Sequence, residues 1–394
     1  MRELVIVSAC RTAIGKFQGT LATVNAPKLG SVVIKEALKR AGCKTDMVDE
    51  VLMGVVLQAG MGQNPARQAL IQAGVPETVG ATTINKVCGS GLKAVMMAAQ
   101  AIRAEDANLI VAGGMENMSL SPYLLRKARS GFRLGHGSID DSMVADGLWD
   151  VYNDFHMGNT AELVAKEYSI SRSEQDFYAA SSQNKASRAQ KDGLFQKEIT
   201  PVEIQGRKET ITFDTDEGIR HDATPEGLGS LKPAFQPGTG TVTAGNASTI
   251  NDGASALIIT HREFAKQQGL PILATIKGYA TGGMAPEWVM MAPVPAIHNV
   301  LNKTGHTLAE IDLFEINEAF AAASIGLIRK LELDESKVNV NGGAIALGHP
   351  IGASGARILT TLLYAMEQRD KKLGLAALCL GGGNAVAMIV QRGE

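Results

Sequence analysis

The sequence predicts an α/β protein built from two similar halves, with a more polar lobe inserted between them. Three observations lead to this prediction. Apolar runs of strand length alternate with segments in which apolar residues recur at helical spacing. A helix that ends at glycine and precedes a buried strand occurs once in each half. Residues 119 to about 248 carry more charge, polar residues and turns. Alternating strands and helices favour largely parallel sheets with helices on their faces.

The elements of the first half follow from glycine stops and apolar periodicity. A helix is expected after Cys88, because Leu92, Val95, Met96, Ala99 and Ile102 recur at helical spacing. In order, the predicted elements are a strand over 1–7, a helix over 34–42, a strand over 49–54, a strand just before Cys88, a helix from Gly89 to about Arg103, and strands over 108–114 and 254–260.

The second half repeats this order, and we take the repeat as the main clue to the architecture. Its predicted elements are a helix over 297–305, a strand over 311–317, a strand-like segment over 338–341, a helix from about Ser354 to Met366 and a strand over 375–381. Cys88 lies 46 residues after Gly42, and His349 lies 44 residues after Gly305. Unless two generic α/β stretches agree by coincidence, Cys88 and His349 each lie beside a helix start, on one face of the protein.

The inserted lobe is predicted to fold, because it contains periodic apolar positions. Helices are expected over 160–168 and 173–192, the second with a capping sequence at its start. The resulting domains are an N-terminal half of 1–118 with 249–270, an inserted loop domain of 119–248, and a C-terminal half of 271–394.

Composition limits the classes of function. The chain has 394 residues, 45% hydrophobic and 20% charged, with a net charge of −2, so nothing points to nucleic acid or a membrane surface. No apolar run approaches the roughly 18 residues of a membrane span. The four cysteines show no CxxC pairing, which argues against a zinc site or a disulfide framework. We expect reduced thiols, no bound metal and a cytoplasmic location.

Cys88 is the strongest candidate nucleophile. It lies in a glycine turn that opens a helix, where the helix dipole favours the thiolate and lowers the thiol pKa. The small residues of 89–91 leave room for a substrate beside the sulfur. The alternative for Cys88 alone is a buried small hydrophobic residue.

Three further segments carry candidate reactive groups. His349 lies in a glycine-rich loop, Cys379 ends an apolar strand before three glycines, and Asn317 closes another strand. Ligands bind at strand ends in open α/β sheets. Each has a structural alternative: His349 as a turn residue, Cys379 as core, and Asn317 as a helix cap.

These motifs, together with the opening segment 6–17, resemble the thiolase family over essentially the whole chain, nearest its short-chain, tetrameric branch. The resemblance implies a thiolase-like fold, with two duplicated βαβαβαββ-type halves in an αβαβα layered core and an inserted loop lobe. It implies an acyltransferase that reversibly condenses two acetyl-CoA to acetoacetyl-CoA and CoA. It also implies a homotetramer, a dimer of dimers. Coenzyme A thioesters are then substrates, and no cofactor is expected.

The resemblance also assigns roles to the candidate residues. Cys88 attacks the first thioester and forms an acetyl-cysteine, while His349 takes its proton. Cys379 is the base that deprotonates the second acetyl-CoA. One oxyanion hole uses His349 and a water held by Asn317, and the other uses the backbone N–H groups of Cys88 and Gly381.

The coenzyme A site is likewise implied by the resemblance. Its expected residues are Leu148, His156, Met157, Ala244, Ser248, Ala319 and Phe320 along the pantetheine arm and matching positions, Arg220 and Phe235 near the nucleotide, and Met291 in the acyl pocket. Two departures from the family pattern stand out. Gly227 replaces a common serine, and the stretch around Trp288 is bulkier than expected.

Three other functions stay open at this point. A β-ketoacyl synthase also has a nucleophilic cysteine but relies on decarboxylation, so Cys379 argues against it. A non-catalytic, thiolase-like lipid-binding protein would be expected to lack one of the three reactive residues, and all are present. A broader-chain 3-ketoacyl-CoA thiolase of fatty-acid degradation differs only in its acyl pocket.

Overall fold

The computed structural model describes residues 2–206 and 208–393, and in them strands and helices alternate as predicted. The first half contains β1 (Leu4–Thr12), β2 (Gly15–Lys16), α1 (Ala26–Ala41), β3 (Glu50–Gly54), α2 (Pro65–Gln72), β4 (Gly80–Ile84), α3 (Ser90–Arg103) and β5 (Leu109–Asn117). The middle segment contains β6 (Tyr123–Leu124), β7 (Asp140–Asp141), β8 (Trp149–Asp150), β9 (Phe155–His156), α4 (Met157–Glu167), α5 (Arg172–Lys191), β10 (Ile199–Thr200), β11 (Val202–Gln205), β12 (Thr210–Phe213) and α6 (Pro225–Gly229).

The chain then returns to the core and builds the second half. These elements are β13 (Asn251–His261), α7 (Arg262–Gln267), β14 (Ala274–Gly283), α8 (Pro293–Thr304), β15 (Leu313–Ile316), α9 (Ala321–Leu331), α10 (Ala344–Leu347), α11 (Ile351–Gln368), β16 (Leu373–Leu380) and β17 (Asn384–Gln391). Short 3₁₀ turns lie at 45–47, 286–291, 308–310 and 335–337, and a π-helical turn lies at 144–148.

The strand order shows the repeat directly. The large sheet runs β15-β16-β17-β14-β1-β13-β5-β3-β4. In the first half, β3 is parallel to β4 and β5, and β13 lies antiparallel between β5 and β1. In the second half, β15 is parallel to β16, and β17 lies antiparallel between β16 and β14. The halves meet where β1 pairs antiparallel with β14.

Helices pack on both faces of the sheet in each half, and two of them lie between the halves. The first half's strands pack against α1 and α2 on one side and against α3 on the other. Helix α11 packs against α3 and also contacts strands of both halves, while α8 covers β14 and β17. This order of layers confirms the predicted αβαβα core. None of the helices in the described ranges is long and apolar enough to cross a bilayer.

Glycines let the two central helices approach closely. A Cβ on Gly91 of α3 would lie 2.8 Å from the backbone nitrogen of Ala356, and a Cβ on Gly355 of α11 would overlap the backbone nitrogen of Leu92. The two contacts are reciprocal, as a pseudo-two-fold repeat requires. Because α3 starts just after Cys88 and α11 starts just after His349, this contact brings both residues to the same region.

One predicted element is absent in its expected form. The segment 338–341 forms no strand, and only Val338 bridges Phe314. The next residue, Asn339, has a φ of 46° and cannot continue an extended strand. Its side-chain amide instead accepts from Ile316 N–H and donates to Ile316 C=O, as a neighbouring strand would. A single side chain therefore replaces the strand pairing that β4 provides in the first half.

Element bounds differ elsewhere by a few residues. Helix α1 begins at Ala26, earlier than predicted, because Asn25 caps it by accepting from Lys28 N–H. Helix α5 begins with the expected capping box, formed by Ser171 and Glu174. The domain boundaries drawn from the sequence stay predictions.

We expect Gly355→Ala to lower the free energy of unfolding by at least about 2 kcal/mol, because the new methyl group overlaps backbone of α3. A decrease in stability would be informative, because replacing Gly by Ala within a helix otherwise stabilises the helix by about 1 kcal/mol. Urea unfolding measures the effect. Gly80→Ala is the control, because no atom lies within 4 Å of its added Cβ. A Gly355→Ala variant as stable as the parent would contradict the close helix contact.

Candidate active site

A cavity of about 270 Å³ brings the predicted reactive residues together. Cys88, His349, Cys379 and Gly381 all line it, although they come from three separate segments of the chain. Asn317 stands behind His349, with its Nδ2 3.4 Å from His349 Nε2. Among the described residues that line the cavity there is no Asp, Glu, Lys or Arg. The reactive groups therefore share an apolar surrounding.

The turn before α3 exposes Cys88 by an unusual backbone conformation. Val87 has a φ of 47°, which a β-branched residue rarely adopts. Ser90 stabilises the turn: its Oγ accepts from Lys86 N–H at 2.8 Å and donates to Val87 C=O at 2.6 Å. Gly89 has no room for a side chain, because a Cβ there would overlap Leu380. The turn therefore leaves Cys88 only partly buried and facing the cavity.

The electrostatic surroundings of Cys88 differ from the sequence prediction. Burial raises the pKa of the thiol well above its usual range, and the nearby Cys379 raises it further. The backbone N–H groups of Cys88 and Gly381 both hydrogen-bond to the sulfur and oppose this shift without overcoming it. The predicted lowering of the Cys88 pKa is therefore wrong, because desolvation outweighs the local donors. Cys88 rests as a thiol and needs a base.

Cys379 lies near the end of β16 and lines the same cavity. Its side chain is 7% exposed, and burial raises the pKa of its thiol to about 11. The S–H group donates to the thioether sulfur of Met290 at 3.9 Å. At neutral pH this residue is also a thiol, and its thiolate would be a strong base.

His349 is a neutral imidazole with a defined tautomer. Ser354 Oγ donates its proton to Pro350 C=O at 2.9 Å, so it must accept from His349 Nδ1–H at 2.6 Å. Nε2 is then unprotonated, with the Asn317 Nδ2 group 3.4 Å from it as a long-range donor. Burial, and to a smaller extent the charge of Arg357, lower the pKa of His349 to about 3. The ring is therefore placed as a proton acceptor.

Two side chains of the first half fix the backbone of the histidine loop. Asn251, at the start of β13, accepts from His349 N–H at 2.9 Å and donates to Gly15 C=O at 3.0 Å. Glu116, at the end of β5, accepts from Gly352 N–H at 2.8 Å, within the first turn of α11. Both are fully buried. The position of His349 is thus set by the half of the chain that carries Cys88.

Most residues assigned to coenzyme A line the same cavity. They are Leu148, His156, Met157, Phe235, Ala244, Ser248, Ala319 and Phe320. Phe235 stacks on His156 with ring centroids 4.8 Å apart and meets Phe320 edge-on at 6.2 Å. Arg220 is exposed, and its guanidinium reaches the carbonyl oxygen of Ala244 at 3.5 Å, so its charge lies near the cavity mouth.

One assignment needs correction. Met291, predicted in the acyl pocket, is buried and does not line the cavity, and its sulfur points towards Gly326. Met290 lines the cavity in its place. The turn at 286–291 is 3₁₀ and kinked at Trp288, so helical spacing could not tell which methionine faces inwards.

Three residues behind the reactive groups were not predicted from the sequence. Ser354 fixes the histidine tautomer, and Asn251 and Glu116 fix the loop. A polar residue inside an otherwise apolar strand was the available signal for Glu116. The described residues contain no group of three or more His, Cys, Asp or Glu side chains arranged to hold a metal ion.

Comparisons with known proteins show what the chain is similar to. A family model described as the thiolase N-terminal domain matches residues 4–263, and one described as the thiolase C-terminal domain matches residues 270–392. The acetyl-CoA acetyltransferases of Cupriavidus necator and Escherichia coli are each 58% identical to the chain over 393 residues, covering 100% of both chains. The crystal structure of the Bacillus anthracis acetyl-CoA acetyltransferase is 43% identical and superposes with a TM-score of 0.98, covering 100% of this chain and 99% of that one.

We expect Asn251→Ala to lower the free energy of unfolding by about 2–4 kcal/mol, because His349 N–H and Gly15 C=O both lose a buried partner. Activity per folded molecule should fall as well, since the histidine loop loses one of its two anchors. Asn299→Ala is the control: that exposed amide makes one bond, to Thr281 C=O. Equal stability of the two variants would show that Asn251 does not hold the loop.

The pKa of His349 predicts its NMR behaviour. The ¹⁵N shifts of its ring should stay those of a neutral, Nδ1-protonated imidazole from pH 8 to pH 5, with assignment by a His349→Asn variant. Because the folded-state pKa lies below the unfolded value of about 6.5, stability should decline as pH falls from there towards 3. A ring that titrates near pH 6.5 in the folded protein would contradict the assigned environment.

Proposed function

The chain belongs to the thiolase family, and from this premise we propose that it is an acetyl-CoA C-acetyltransferase. It interconverts two molecules of acetyl-CoA with acetoacetyl-CoA and CoA. The observation that carries the proposal is the meeting of two thiols and a neutral imidazole in one apolar cavity. This combination supplies a nucleophile, a proton acceptor and an acid–base partner within reach of one small acyl group.

In the thiolysis direction, the first step cleaves acetoacetyl-CoA. Nε2 of His349 takes the thiol proton of Cys88, and the sulfur bonds to the ketone carbon of the substrate. The adjacent carbon–carbon bond then breaks. Its electron pair, held as an enolate, takes the proton of the Cys379 thiol and gives acetyl-CoA. Cys88 now carries the acetyl group, Cys379 is a thiolate, and His349 is protonated.

The second step returns the enzyme to its starting state. The CoA thiol gives its proton to the Cys379 thiolate, and its sulfur attacks the acetyl group on Cys88. The departing Cys88 sulfur recovers its proton from His349. Acetyl-CoA leaves, and the protons balance. Condensation is the reverse sequence, in which the Cys379 thiolate removes a methyl proton from acetyl-CoA.

Backbone donors support the charge that develops in these steps. The N–H groups of Cys88 and Gly381 both point at the Cys88 sulfur, so an oxygen on the carbon bonded to that sulfur lies within their reach. Each such donor contributes about 10²–10³ in rate. We assign the second thioester oxygen to protonated His349 with Asn317, directly or through a water that Asn317 holds.

The remaining parts of the proposal concern the substrate and the assembly. Phe235, expected near the nucleotide, instead stacks on His156 and meets Phe320, and this aromatic groove suits the pantetheine arm. The charge of Arg220 suits a phosphate. The chemistry is complete with thiols, imidazole and amide donors, so it calls for no cofactor. A homotetramer in the cytoplasm is proposed from the family resemblance. The surface segment 123–139 carries large exposed apolar side chains, including Leu134 at 98% exposure, and these support self-association.

Cys379 also separates this proposal from its alternatives. A decarboxylating synthase does not need a second buried thiol in the cavity of the nucleophile. A lipid-binding protein does not need a histidine base of fixed tautomer beside Cys88. The thiolase reaction uses all three groups.

Substitution of the cysteines one at a time tests the mechanism. Cys88→Ala should abolish both thiolysis of acetoacetyl-CoA and acetyl transfer from acetyl-CoA to the protein. Cys379→Ala should lower thiolysis by about 10²–10⁴-fold, while Cys88 still becomes acetylated. Enolate absorbance follows the first reaction, and intact-protein mass follows the second.

Cys43→Ser is the matched control, because that buried thiol lies outside the cavity. It should leave both reactions unchanged. Full thiolysis by Cys379→Ala would remove Cys379 from the mechanism, and an acetylated protein after Cys88→Ala would remove Cys88.

A further inference from the structure

Met290 occupies a position that the proposed chemistry does not use. It lies at the end of the 3₁₀ turn 286–291, between β14 and α8, and its side chain is 3% exposed. It lines the same cavity as the reactive groups, and its thioether sulfur lies 3.9 Å from the Cys379 sulfur. The side chain therefore borders the space into which Cys379 reaches.

That space is where the reacting carbon of the substrate must lie. For Cys379 to exchange a proton with a substrate carbon, that carbon must lie in contact with its sulfur. The carbon in question is the one between the two carbonyl groups of acetoacetyl-CoA. A substituent on this carbon adds volume beside the Cys379 sulfur, where the Met290 side chain also lies. Substituents at the far end of the transferred acyl group would extend past Cys88 instead.

The turn that carries Met290 has little freedom to retreat. Its neighbours Val289 and Ala292 are 1% and 0% exposed, and the turn packs against α4, α9 and β16. A well-packed core resists displacement by even one methyl group. Only rotation of the methionine side chain could make room, and that rotation would break the contact with the Cys379 thiol.

We propose that Met290 is a specificity-determining residue, which excludes substrates with a substituent on the carbon that Cys379 protonates. This inference rests on the proposed thiolase function and adds a substrate boundary to it. The enzyme then accepts acetoacetyl-CoA and discriminates against its 2-methyl derivative. A hydrophobic pocket discriminates one such methyl group by about 10–200-fold.

The test compares thiolysis of acetoacetyl-CoA, 2-methylacetoacetyl-CoA and 3-ketohexanoyl-CoA by the full-length protein. Met290→Ala should raise kcat/KM for the 2-methyl substrate at least about tenfold relative to acetoacetyl-CoA. The relative value for 3-ketohexanoyl-CoA should change less than threefold, because its extra carbons lie on the Cys88 side. Each comparison is a ratio within one preparation, so a partly unfolded variant still gives a valid result.

Met291→Ala is the matched control, because the neighbouring methionine is equally buried but does not line the cavity. It should leave both ratios unchanged. Met290→Val is a second variant, which opens part of the same space and should give a smaller shift in the same direction.

Two results would overturn the inference. One is a parent protein that cleaves the 2-methyl substrate as readily as acetoacetyl-CoA. The other is a Met290→Ala ratio that stays at the parent value or is matched by Met291→Ala. Failure of the proposed function looks different, since a parent protein without any activity on acetoacetyl-CoA would refute the thiolase reaction itself.

Discussion

The contact between α3 and α11 is the constraint on which the site depends. Each helix begins directly after a reactive residue, so the distance between the helix starts sets the distance between Cys88 and His349. Gly91 and Gly355 allow backbone to meet backbone there. Asn251 and Glu116 then attach the histidine loop to the first half by side-chain bonds to backbone N–H groups. A duplicated fold thus places two different reactive groups at equivalent positions of its two halves.

Burial is the second determinant, and it favours the uncharged form of all three reactive groups. It raises the pKa of both thiols and lowers the pKa of His349, so each group rests in its uncharged form. An uncharged cavity accepts a thioester without displacing ions. Charge then appears only as protons move between Cys88, His349 and Cys379, next to amide donors that are already in position.

The sequence was sufficient for the repeat and the helix starts, because glycines that end helices and apolar spacing are local signals. The repeat placed Cys88 and His349 on one face, and the family resemblance added Cys379 and Asn317. The sequence was insufficient where a tertiary contact decides the outcome. Asn339 replaces a strand through its side chain, desolvation overrides the helix dipole at Cys88, and a kink at Trp288 turns Met290 inwards instead of Met291. In each case the outcome depends on a tertiary contact or on how deeply the residue is buried, and neither can be read from neighbouring residues.

The most direct test is a crystal structure of the protein trapped with acetyl-CoA. We predict an acetyl group on Cys88 Sγ, with its oxygen about 3 Å from the backbone nitrogens of Cys88 and Gly381 and with the Cys379 sulfur facing it across the cavity. An acetyl group on another residue, or an acetyl oxygen turned away from both nitrogens, would contradict this prediction.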